Sequence, residues 1–219
     1  VEWREMTDKW EERFVYHAVP STESITTDRL YSLNALKGLD GAVAERYLEK
    51  YRGREIIATI EVPLREGKTA MWHDFIFFST LPPRELYDSL TEAGLDPAAH
   101  CHTGLPLFWK IPVRNLFAET NEVVSLLQAH PPLKTPSKGD ATLEMDPRDF
   151  VHLDFGNEET WKLVDVPATP AKTAAYFTTL KGKPGTAKLW YHVPHIMVKG
   201  TVSLKNATII NWSSKDSAQ

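Results

Sequence analysis

A single cysteine, Cys101, stands in a chain of 219 residues. That excludes an internal disulfide and any zinc site built on several thiolates. It fits a reducing compartment, so a cytoplasmic location is expected. No apolar run approaches the ~20 residues of a membrane-spanning helix, and no membrane partner is expected. The chain has no G-x-G-x-x-G, no P-loop and no G-x-S-x-G elbow, which removes the common Rossmann, NTPase and α/β-hydrolase readings. Neither sign of charge is in large excess. Lys and Arg number 25 against 29 Asp and Glu, for a net −4, which argues against a broad non-specific nucleic-acid surface but not against a local basic patch. The charged opening Val1-Glu2-Trp3-Arg4-Glu5-Met6 does not read as a secretory leader, and the missing initiator Met leads to the expectation of a trimmed or excised piece of a longer chain.

Aromatic residues are plentiful at 11%, enough to build a rigid core. Trp3 to Glu12 has a helical stripe through Trp3, Met6 and Trp10. A strand follows over 13–19, then a polar loop from Ser21 to Asp28. Leu30 to Leu33 is a short apolar element, and Asn34 reads as an N-cap. Ala42 to Tyr51 reads as a helix, Arg54 to Leu64 as a strand, and Asp74 to Ser79 as a strand apolar enough for the middle of a sheet. Pro82-Pro83 starts a helix over Arg84 to Ala93, closed by Gly94. Leu107 to Val113 is a strand that lies near an edge or ends at Pro112. Asn121 to Ala129 is expected to be helical. The Pro-rich segment 131–148 reads as a flexible loop or linker. Beyond it come a strand over Trp161 to Val166, a helix over Pro170 to Leu180, a turn at Lys181 to Gly185, and two strands over 188–198 and 201–212 joined near Lys199-Gly200. Strands and helices mix without βαβ alternation, so the class is α+β in a single domain over 1–219.

The clearest pointer to a site is Phe14-Val15-Tyr16-His17-Ala18-Val19, a strand that sets one imidazole near its end. Ser79-Thr80 ends another strand just before the helix at Pro82-Pro83, whose N-terminus offers free N–H groups and a positive dipole end. A phosphate or ribose hydroxyl between these corners, with Tyr31 or Tyr47 stacked on a ring, would make a nucleotide pocket. The plainer account gives His17 one structural hydrogen bond and makes Ser79 a helix cap.

The order of these parts resembles the ADP-ribosyltransferase fold, nearest the branch of DNA-modifying ADP-ribosyltransferase toxins. The likeness rests on Val15-Tyr16-His17 leading to Asp28-Arg29-Leu30-Tyr31-Ser32, on Phe75-Ile76-Phe77-Phe78-Ser79-Thr80-Leu81-Pro82-Pro83-Arg84-Glu85-Leu86-Tyr87, and on Val193-Pro194-His195-Ile196. The resemblance implies a split, mostly antiparallel sheet with flanking helices and NAD as cofactor. It implies His17 as the catalytic residue, with Tyr16, His17, Tyr31, Ser79, Thr80 and Tyr47 around the nucleotide, and a nucleic acid or protein as acceptor. It also implies a Glu on a late strand, but the matching stretch is Ala187-Lys188-Leu189-Trp190-Tyr191. A lysine cannot serve as that carboxylate, so either Glu23, Glu61 or Glu144 supplies the acid or transfer is lost. The RNA 2′-phosphotransferase branch of the fold, which uses basic residues, keeps a phosphate-directed reaction open.

Three other constellations compete. His100-Cys101-His102 and His192-Val193-Pro194-His195, with His73-Asp74 behind an imidazole, offer ligands for a metal-dependent hydrolase. The usual His-Glu-x-x-His pattern is absent. On a strand His100 and His102 would face one side. Cys101 between two histidines could form a thiolate–imidazolium pair, but strand neighbours point apart. Finally Lys172, Lys181, Lys183, Lys188, Lys199 and Lys205, with Trp190, Tyr191 and Trp212, make the last third basic and aromatic. That suits either a phosphate-rich partner bound by a non-enzymatic module or an ordinary solvated sheet face.

Overall fold

The computed structural model describes residues 12–20, 26–49, 57, 59–101, 105–117, 121–127, 146–183 and 187–214. The helix expected over Trp3 to Glu12, apart from Glu12 itself, and most of the Pro-rich segment lie outside these residues. So do Ser21 to Ser24 and Ile25 of the polar loop.

The described chain is α+β and its ladders are antiparallel. Strand β1 (Phe14–Ala18) pairs with β6 (Leu107–Pro112), which pairs on its other side with β11 (Thr208–Asn211). A second sheet has the order β5-β9-β7-β8, from Phe75–Phe78, His195–Lys199, Glu122–Leu126 and Phe150–His152. Two small ladders join β2 (Arg29–Tyr31) to β10 (Thr201–Ser203), and β3 (Glu61–Pro63) to β4 (Thr69–Met71). Among the described residues one main-chain bridge joins the two larger sheets. Tyr16 N–H donates to the Ser79 carbonyl at 2.8 Å and Ser79 N–H donates back at 3.1 Å. Neighbouring strands β1 and β5 share this single bridge, and beyond it the surface splits.

Alternation of side chains explains the core. Val15, Val19, Trp109, Ile111, Ile76, Phe78, Ile196 and Val198 project to one side of both sheets and form one apolar cluster, closed by Leu30, Val202 and Trp161. The other face of β5-β9-β7-β8 buries Phe75, Val124, Leu126 and Met197 against Val62 and Ala70. The other face of β6 buries Phe108 against Leu86, Leu90, Phe177 and Trp212.

Five α-helices lie among the described residues: α1 (Leu33–Leu39), α2 (Gly41–Leu48), α3 (Pro83–Glu92), α4 (Glu158–Lys162) and α5 (Ala171–Thr178). Helix α3 begins on Pro83, whose missing N–H costs nothing at a helix start. It ends before Gly94, at φ +75°. Ser32, and not Asn34, caps α1 by accepting from Ala35 N–H at 3.2 Å. Asn34 instead donates to Asp74.

Several expectations are overturned. Residues 122–126 form a strand, not a helix. Val123 and Val124 are β-branched and bury on opposite faces of the sheet, in two different apolar clusters, while β7 pairs with β9 on one edge and β8 on the other. Trp161 lies in helix α4, not a strand, because Asn157 accepts from Glu159 and Thr160 N–H groups and starts a helical turn that buries the indole. The expected strand over 54–64 shrinks to Glu61–Pro63 among the described residues. Residues 188–194 are turn and irregular chain, so the strand there starts only at His195. The final expected strand is two, broken at Asn206 with φ +61°. Strands β9 and β10 do not pair, because Gly200 at φ +136° turns the chain from one sheet into another ladder. Strand β6 ends at Pro112 but is central, not an edge.

Candidate site where the sheets part

His17 is the next residue after the Tyr16–Ser79 bridge. Its Nδ1–H donates to the Phe77 carbonyl at 2.8 Å, and its ring lies 5.5 Å from that of Phe78, tilted by 49°. A side chain thus continues the connection between β1 and β5 where main-chain pairing stops. A carbonyl oxygen can only accept, so Nδ1 carries a proton and is the donor. The ring is half-buried. Trp109 faces His17 directly across the β1–β6 ladder, on the same side of the sheet. Its indole N–H is buried with no acceptor among the described residues.

The predicted neighbours of His17 divide between faces. Tyr16 and Ser79 are bridge partners, so both side chains project to the side opposite His17. Tyr16 is 7% exposed and Ser79 3%. Ser79 Oγ accepts from Leu81 N–H at 3.1 Å, a local cap of the corner. Thr80 Oγ1 donates to the Val164 carbonyl and accepts from Val166 N–H at 2.9 Å, which pins the segment after α4 to the end of β5. The hydroxyls expected to floor a nucleotide pocket are engaged in holding backbone. Tyr31 ends β2 and faces Thr201 in the separate β2–β10 ladder, and Tyr47 lies on α2. Neither is carried by a strand that neighbours β1.

The late segment also differs from expectation. Lys188 is exposed on a turn, and its N–H donates to the Tyr176 hydroxyl at 3.1 Å. Of the carboxylates weighed, Glu61 is exposed in β3, while Glu23 and Glu144 lie outside the described residues.

The histidines do not gather. His100 ends a 3-10 turn and accepts from Ala187 N–H through Nδ1 at 2.9 Å, and His102 lies outside the described residues. His195 opens β9 and donates through Nδ1–H to the Val193 carbonyl at 2.9 Å. Burial pushes its pKa below the usual 6.5, against the opposing pull of that hydrogen bond. His195 also sets its ring edge-on to Phe77 at 6.4 Å. Asp74 is occupied by Met71 N–H and by Asn34. Cys101 Sγ donates to the Leu105 carbonyl at 2.7 Å. No group of three or more His, Cys, Asp or Glu able to hold a metal ion comes together among the described residues. No helix there is long and apolar enough to cross a membrane.

Sequence reasoning missed Trp109 and the Phe77 carbonyl. The alternation in Leu107-Phe108-Trp109-Lys110-Ile111 could have put Trp109 on a core face. Nothing in a sequence marks which main-chain oxygen an imidazole will reach. Comparison of the chain with protein-family models, with curated proteins and with solved structures finds no match.

Proposed function

We propose that this chain is an ADP-ribosyltransferase-like protein that binds NAD where β1 and β5 part, with a nucleic acid or protein as acceptor. The observation that supports this best is His17, an imidazole held by its Nδ1–H bond to Phe77 at the split of two antiparallel sheets. The residues fit a polar ligand in part. The half-buried His17 ring and the buried Trp109 indole N–H share one face, and a ligand oxygen would give that N–H the acceptor it lacks. Ser79 and Thr80 do not fit the role of phosphate holders, since their hydroxyls already serve the backbone.

NAD, when bound, would supply an ADP-ribosyl group on a nicotinamide leaving group. His17 would position the ribose through a hydrogen bond, its ring held by Phe77. Trp109 and Phe78 would exclude water from that side.

A second reading, binding without transfer, is favoured by Lys188, which stands exposed on a turn where the resemblance calls for a strand-borne carboxylate. One experiment separates the two. NAD titration by calorimetry reads binding, and nicotinamide release reads transfer. Binding with release supports transfer, and binding without release supports the second reading. Absence of binding overturns both.

A further inference from the structure

From Val166 to Lys215 the chain carries seven lysines and neither Asp nor Glu, in a protein of net charge −4. Some cations elsewhere sit on carboxylates, among them Arg13 on Glu158 and Arg84 on Asp88. Lys172, Lys181, Lys183 and Lys188 are exposed, and none makes an ion pair among the described residues.

Helix α5 and the turns over 187–192 bring two of these lysines beside a set of half-buried rings. Lys188 N–H holds the Tyr176 hydroxyl, and Thr173, next to Lys172, donates through Oγ1 to the Tyr191 carbonyl at 2.6 Å. Tyr176 and Tyr191 lie 4.6 Å apart at 46°, and Tyr191 and His192 lie 4.0 Å apart at 61°. His192 has φ +61°, a left-handed conformation unusual for a non-glycine residue. Such strain is retained where surrounding structure dictates it, often at recognition sites.

The tilt decides what this face suits. Base stacking needs open ring faces. Here Tyr176, Tyr191 and His192 pack against one another at 46° and 61°, so neighbouring rings cover part of those faces. Exposed lysines without ion pairs match carboxylates, and tyrosine is a favoured residue at protein–protein contacts. We propose that the α5 and 187–192 face docks an acidic polypeptide segment carrying aromatic residues. This rests on charge and ring geometry and is independent of the NAD reading.

The test is fluorescence anisotropy with a labelled peptide of alternating Glu and Tyr. The comparison probes are an all-Glu peptide, a Lys/Tyr peptide and oligothymidylate of similar length. The Glu/Tyr peptide is expected to bind best, about tenfold tighter than the all-Glu peptide, and to weaken as salt rises. The double variant Lys172→Glu, Lys188→Glu is expected to lose about tenfold or more, and Tyr191→Leu to erase the advantage over all-Glu. Lys37→Glu, on exposed α1, is expected to change nothing. All four positions except Tyr191 are solvent-exposed, and circular dichroism melts check that each variant folds. Tighter binding of oligothymidylate, equal binding of the Lys/Tyr peptide, or an unchanged double variant overturns the proposal.

Discussion

His17 and Phe77 are joined by one hydrogen bond, imidazole Nδ1–H to main-chain carbonyl at 2.8 Å, one residue past the last bridge between β1 and β5. The ring therefore has two roles, one in the fold and one in the proposed site, and they are separable by measurement. His17→Ala is expected to lower stability by about 1 kcal/mol, the usual net worth of one such bond. If the ring also holds ligand, NAD affinity falls by at least about tenfold, more than that stability loss requires in a protein still fully folded. Urea unfolding and calorimetry on the same sample check both. Unchanged affinity would sink the cleft reading.

Thr80 is expected to matter for the fold and not for nucleotide. Thr80→Val removes the donor to Val164 and the acceptor for Val166 N–H, which leaves two main-chain groups without their partner. Each is worth about 1–3 kcal/mol when stranded away from water. Thr80→Ser keeps both bonds and is expected to retain most of the stability. Denaturation midpoints for the pair decide the point, and NAD affinity is expected to stay within about twofold of wild type in the folded protein.

Gly200 cannot accept a side chain. A Cβ there would lie 2.1 Å from Asn121 Oδ1, and its φ of +136° disfavours any other residue. Asn121 is itself fixed by donating to the Leu116 and Thr201 carbonyls. Gly200→Ala is therefore expected to cost more than about 2 kcal/mol, since the strained backbone and the collision add. Asn121→Gly in the same chain would relieve the collision only, so the double variant is expected to be less unstable than the sum of the singles. Thermal melts of all three provide the check.

Stability is expected to fall in mild acid. Burial holds the His195 pKa below the usual 6.5. The unfolded chain therefore takes up the proton first as pH drops, which favours unfolding. The contribution of His195 is complete above about pH 6.5 and is lost as pH falls from there toward the lowered value. Urea unfolding at pH 7.5 and at steps down to pH 5 should show the decline, and His195→Gln should flatten it. An identical slope in the variant would remove His195 as the cause.

Some of this was written plainly in the sequence. Phe75–Phe78 and Phe14–Ala18 are strands on composition alone, and Pro83 and Gly94 bracket α3, because these signals act through each residue's own backbone preferences. The α+β class and the placing of His17 on a strand followed from the same local rules.

Other features needed the folded chain. Residues 122–126 and 158–162 are five-residue elements, too short to decide between helix and strand by periodicity. Partners β9 and β8 on one segment, and the Asn157 cap with a buried Trp161 on the other, made the choice. The site shows the same division. The sequence by itself determined that an imidazole sits beside a Tyr near a strand end. Only tertiary structure decided that Tyr16 and Ser79 face away from it, that Thr80 is tied to Val164 and Val166, and that His17 reaches Phe77 with Trp109 alongside. Those relationships join residues 60 to 92 positions apart along the chain. They depend on register between strands, which no local preference encodes.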